Sequence, residues 1–177
     1  MYLAQENLRV AVGSRDHADL VLGDYMLGGG FSDSRFRQRF RADSANVEIE
    51  SDLTVTLGDG VGEFTVRGTV APPGLDRLGT AVAEEVGRVA EEGFSAGEVE
   101  MAKKEWQQAQ RRRLALHDVL MVEFSNQAFL RRTFGDEVSF ERRMEGLTAP
   151  AVNATMRRHL RPAKLSVVTA VGQPSSH

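Results

Sequence analysis

The chain has no cysteine among its 177 residues. That excludes a disulfide framework, a thiol nucleophile and a thiolate metal site. No apolar run approaches the ~18 residues that a membrane-spanning helix needs. The first ten residues, MYLAQENLRV, lack the charged-then-apolar order of a signal peptide. The expected setting is cytoplasmic, with no membrane partner. A basic excess is also missing: 22 Lys and Arg face 25 Asp and Glu, and the pI is near 5.8. This argues against a dedicated nucleic-acid-binding domain. Low-complexity segments and internal repeats are absent as well.

Catalytic and metal motifs are equally scarce. His17, His117, His159 and His177 are scattered, with no partner at helical ligand spacing. Neither HExxH nor HxxEH occurs. Glu48, Glu50 and Asp52 fall on one face of a predicted strand but lack a nearby fourth ligand, so they read as a solvated or cleft-facing acidic face. Nothing local ties a histidine to both a serine and an acid. Gly28-Gly29-Gly30 follows a helical pattern rather than a strand, and no lysine and hydroxyl stand where a phosphate loop needs them. The sequence therefore assigns no catalytic residue and no metal ligand to this chain.

What remains is the pattern of a single domain spanning 1–177, with 172–177 as a tail. An apolar fraction of 41% suffices for a core. Leu8, Val10 and Val12 alternate with Arg9 and Ala11 as a strand ending at Gly13. Ala18, Val21, Leu22, Tyr25 and Met26 mark a helix that the glycines at 28–30 stop. A second helix is expected from near Ser32, with Phe36 and Phe40 on one face and Arg35, Arg37, Arg39 and Arg41 on solvated flanks.

The segments VEIESDLTVTL and VGEFTVRGTV alternate with period 2 around Gly58-Asp59-Gly60, the pattern of a hairpin. A type I′ turn at Asp59-Gly60 would set Val55 against Phe64, Leu53 against Val66, and Asp52 against Arg67. After Pro72-Pro73, Leu75 to Val89 reads as an amphipathic helix ending at Gly93. Ser95 and Glu98 form a capping box, with Phe94 and Val99 as its staple, and open a long helix. Its predicted stripe runs through Trp106, Ala109, Leu116, Leu120 and Phe124, with a kink near His117; Arg111, Arg112 and Arg113 on it are solvated. Leu147-Thr148 starts a further helix to about Leu160, and Lys164 to Val171 closes as a strand. The order implies an α+β fold, with a mainly antiparallel sheet packed against helices in two layers.

Four stretches, LVLGDYMLGGGFSDSRFRQRFR, FTVRGTVAPPGLDRLGTAVAEEV, EEGFSAGEVEMAKKEWQQAQ and LTAPAVNATMRRHLRPAKLSVV, occur in an order that resembles a known family. It is the C-terminal, non-catalytic domain of the insulinase, pitrilysin and mitochondrial-processing-peptidase zinc metallopeptidases. The resemblance runs from about Asn7 to Thr169. It implies a processing-peptidase-like domain, N-terminally truncated, whose zinc lies on a partner domain or subunit carrying HxxEH. It also implies that Gly28, Gly29, Gly30 and Arg41 lie on the substrate side and hold a peptide. Two positions depart from the family pattern: Ala45 stands where a glycine is expected, and Glu48 falls at or beside the place of a substrate-holding tyrosine.

The function so implied is the chamber-closing half of a zinc peptidase, inactive alone, that positions peptide for its metal-bearing partner. The alternative is a structural interaction module without a role in proteolysis. Because residues 1–6 offer no further strand, an open apolar edge at 8–12 would favour a homodimer or hetero-oligomer.

Overall fold

The computed structural model describes residues 1–41, 47–56, 60–71, 74–115, 121 and 133–170. These hold a four-stranded antiparallel sheet and six α-helices. The strands are β1 (Tyr2–Arg9), β2 (Glu48–Val55), β3 (Val61–Thr69) and β4 (Ser166–Val168), in the spatial order β2-β3-β1-β4. The helices are α1 (Arg15–Leu27), α2 (Arg35–Phe40), α3 (Leu75–Glu92), α4 (Ala96–Leu114), α5 (Phe134–Glu145) and α6 (Ala149–His159). Leu3, Phe64 and Val66 from the sheet meet Leu22, Phe36, Val82 and Met156 from the helices in one core. The fold is the expected two-layer α+β arrangement, and no helix among the described residues is long and apolar enough to cross a membrane.

The N-terminal strand differs from the expectation. Residues 2–9 form it, and it lies inside the sheet, paired with β3 along most of its length and with β4 at Tyr2–Ala4. A bulge explains why alternation does not reveal it. Gln5 lies opposite Phe64 and Leu8 opposite Gly62, so one extra residue is inserted, with Asn7 at φ 61°. Leu3 and Leu8 therefore both face the core although their numbers differ in parity. Gln5 is buried between them, donating to the His159 carbonyl at 2.6 Å and accepting from the Arg161 N–H at 2.8 Å. The apolar edge expected at 8–12 is thus replaced by an interior strand, and the sheet's outer strands are β2 and β4.

The hairpin keeps its predicted faces but slips by two residues. Leu53 lies opposite Phe64, Val55 opposite Gly62, and Arg67 opposite Glu50. Alternation fixes only the parity of the register, and a shift of two preserves both apolar faces. Gly60 is held elsewhere, its carbonyl accepting from the Val10 N–H at 2.8 Å. Of the predicted turn pair, Asp59 lies outside the described residues, and Gly60 has φ 65°.

The start of α4 is as expected. The Ser95 hydroxyl accepts from the Glu98 N–H, and the Glu98 carboxylate from the Ser95 N–H at 2.8 Å. Val99, Ala102 and Trp106 are buried, whereas Ala109 is exposed. The predicted kink near His117 and the stripe from Leu116 to Phe124 lie outside the described residues. Helix α5 is an element that the apolar pattern did not reveal, although its start is written in Thr133 and Asp136. The Asp136 carboxylate accepts from the Thr133 N–H at 2.7 Å and from its hydroxyl at 2.9 Å. Strand β4 is shorter than expected: Pro162–Lys164 form a 3₁₀ turn at its start, and residues 169 and 170 lie beyond its end.

Candidate functional site

Helix α1 stops where its glycines begin. The N–H groups of Gly28 and Gly29 both donate to the Asp24 carbonyl, at 3.0 and 2.9 Å, and the Phe31 N–H donates to the Tyr25 carbonyl at 3.2 Å. A Cβ on Gly28 would stand 2.5 Å from the Phe36 ring and 3.0 Å from the Ser51 backbone nitrogen. Glycine here lets the loop lie flat against β2. Gly29 and Gly30 are exposed, and Gly30 has φ 131°. Helix α2 begins at Arg35, with Ser34 as its N-cap, three residues later than expected.

The delay has a cause 73 residues away in sequence. Glu105, on α4, accepts from the Ser32 N–H at 2.8 Å, the Ser32 hydroxyl at 2.6 Å and the Tyr25 hydroxyl at 3.4 Å. One carboxylate thus clamps both ends of the glycine loop. Burial, and then the charge of Glu105, push the Tyr25 phenol up to about 12. No local pattern marks Glu105 as functional, because its partners lie on other elements.

Strand β2 forms an outer edge beside this loop. The Thr56 N–H donates to the Val61 carbonyl, so the antiparallel alternation turns the backbone groups of Ile49, Ser51, Leu53 and Val55 away from β3. Two depressions open along this edge. One, of about 490 Å³, is lined by Ser32, Arg37, Arg41, Glu48 and Ile49 among others. The other, of about 240 Å³, is lined by Asp24, Tyr25, Gly29, Asp52 and Trp106 among others. The loop runs between them, with Ser32 on one and Gly29 on the other. The structure therefore places Arg41 and Gly29 along the same strand edge but in separate depressions, and Gly28 and Gly30 line neither. Arg41 is 70% exposed and stands 3.6 Å from Asp33. Glu48 shares its depression, while Ala45 lies outside the described residues.

The arginines of α2 are less uniform than a solvated flank implies. Arg35 pairs with Glu98 at 2.9 Å, donates to the Gly93 carbonyl at 3.1 Å and lies over the Phe94 ring at 5.5 Å. It ties α2 to the α3–α4 junction, while Arg37 remains exposed. No group of three or more His, Cys, Asp and Glu among the described residues could hold an ion.

Comparison with known proteins agrees with this picture. Residues 4–105, more than half of the chain, match the profile of the peptidase M16 inactive domain. No curated protein matches the chain. Among solved structures, a peptidase M16 inactive domain from Pseudomonas fluorescens superposes with a TM-score of 0.74 at 23% identity, over 93% of this chain and 38% of that one. The inactive peptidase domain of a putative zinc protease from Bordetella parapertussis gives 0.72 at 18% identity, over 93% and 88%. A protease from Helicobacter pylori gives 0.73 at 11%, over 93% and 39%. This chain thus spans less than half of two of these chains and most of the third. This chain belongs to the peptidase M16 inactive-domain family.

Proposed function

We propose that this domain closes the substrate chamber of an M16-type zinc peptidase and positions peptide there for a partner domain or subunit that carries HxxEH and the metal. The observation that carries this reading is the outer edge of β2, with the glycine loop and Arg41 beside it. An extended peptide can pair with the outward backbone groups of Ile49, beside Arg41, as strands do when they add to a sheet edge. Further along, Ser51 lies against Gly28 and the Leu53 N–H is taken by Asp24. Arg41 is poised to meet its carbonyls or an acidic side chain. The metal chemistry belongs to the partner, and no step of it runs through this chain.

The test needs the complex. In an assembly with an M16 catalytic half, Arg41→Ala should lower kcat/KM by about 1–3 kcal/mol, the range for a lost charge-assisted contact. Unchanged kinetics with intact folding would overturn the positioning role.

A second reading, a structural interaction module, draws on two other observations. The Gly28 and Gly29 N–H groups are already taken by Asp24, and a glutamate stands near the expected tyrosine. Under that reading the catalytic half cleaves equally well with or without this chain.

A further inference from the structure

Two carboxylates share the smaller depression beside Gly29. Asp24 lies at the end of α1 and Asp52 on β2, and both line the cavity of about 240 Å³. The Oδ1 atom of Asp24 has almost no accessible surface and no hydrogen-bond partner. A buried, unpaired carboxylate oxygen is costly, and one beside a second carboxylate more so. Burial pushes the Asp24 carboxyl up to about 7; Asp52 pushes in the same direction, while the Ser51 hydroxyl and the Leu53 N–H offset this in part. Among the described residues no cation lines the cavity. Glu105 on α4 is engaged with Ser32 and Tyr25, and Arg37 on α2 acts on Tyr25 rather than on Asp24. The site has the charge of an ion pair with one partner absent.

The remaining walls suit a particular partner. Val21 and Leu53 are apolar, and Tyr25 and Trp106 add aromatic rings. An aliphatic stem packs on such walls while its charged head reaches carboxylates or lies against a ring. We propose that this cavity binds the basic side chain, lysine or arginine, of a peptide that passes Gly29. This rests on the substrate-positioning reading and adds to it a substrate class: peptides with a basic residue where they pass Gly29. A bound cation holds Asp24 ionised, so binding and deprotonation are linked and affinity rises with pH through about 7.

Trp106 is the chain's single tryptophan, so its fluorescence reports on this cavity. The experiment titrates the chain with four blocked alanine pentapeptides whose central residue is arginine, lysine, citrulline or glutamate. The arginine and lysine peptides should shift Trp106 emission saturably, at least tenfold more tightly than citrulline, with arginine against lysine separating the two heads. Their affinity should rise between pH 6 and pH 8. Asp24→Asn should remove both the preference and the pH dependence while the circular dichroism stays unchanged. Should that variant misfold, Asp52→Asn provides the second test, with a smaller loss of preference. Equal binding of arginine and citrulline peptides would overturn the basic pocket and leave peptide positioning standing. Saturable binding of none of the four also overturns the pocket, and the Arg41→Ala kinetics then judge the broader reading separately.

Discussion

The α3–α4 junction and the β2 edge are built from similar residues and treat them in opposite ways. At the junction, polar groups close on one another. The Asn153 amide accepts from the Phe94 N–H at 2.8 Å and donates to the Phe94 carbonyl at 2.9 Å. Ser95 and Glu98 cap each other, and Glu98 also takes Arg35. Only Arg35 Nε is left over. At the β2 edge, Asp24 and Asp52 face one cavity that no cation lines among the described residues, and Asp24 Oδ1 is unpaired. Closed polar networks fix a structure, whereas unpaired carboxylates weaken it and are the groups that a ligand can complete. The contrast separates a region that serves stability from one available for binding.

Substitutions sharpen this contrast, and the largest effect should fall at the junction. Gly93 has φ 75° and ψ −167°, a region essentially confined to glycine, and a Cβ there would stand 2.4 Å from the Asn153 amide. Gly93→Ala should therefore cost about 1–3 kcal/mol in strain. It should also cost about 1–3 kcal/mol for the Phe94 groups that Asn153 then releases. Urea unfolding should show a loss of roughly 4 kcal/mol in all. A loss below about 1 kcal/mol would mean that the junction tolerates rearrangement and is no network.

At the β2 edge the sign reverses, since Asp24→Asn should stabilise the isolated chain. The folded carboxyl titrates near 7, above its ordinary 3.8, so the folded state binds the proton more tightly. The stability this gives is complete below the ordinary value and is lost as pH rises through about 7. At ~1.4 kcal/mol per pH unit the loss is at most roughly 4 kcal/mol. The difference in unfolding free energy between variant and parent should grow from pH 4 to pH 7 and level off above pH 8. A difference flat across that range would show that Asp24 is solvated and already ionised.

The same contrast explains what the sequence could reveal. Gly93, Ser95 and Glu98 are neighbours in the chain, so the end of α3 and the start of α4 are visible as local signals. The faces of β2 and β3 are visible for the same reason, but their register is not. Parity allows any shift by two, and the choice is made by contacts such as that of Gly60 with Val10, at the end of the neighbouring strand β1. Strand β1 is hidden by its bulge, which breaks the alternation at Glu6 and Asn7. The glycine loop stands out as a string of three. Its clamp and its acidic neighbour do not, because Glu105 and Asp52 reach it only through the fold.

The smallest expected effect tests that clamp. Glu105 joins α4 to both ends of the glycine loop through three hydrogen bonds, all at a partly exposed site. Charge-assisted bonds there carry only modest net stability, because water competes for each partner. Glu105→Ala should thus lower global stability by about 1 kcal/mol. The local consequence should be larger, since the Ser32 N–H has this carboxylate as its acceptor. Its exchange with solvent should accelerate at least tenfold, while the Phe94 amide, held by Asn153, keeps its rate. Glu105→Gln retains one acceptor oxygen and should fall between the two. If the Ser32 amide exchanges equally fast in all three proteins, the loop is open in solution already. The β2 edge would then owe its shape to Gly28 packed on Ser51 rather than to α4.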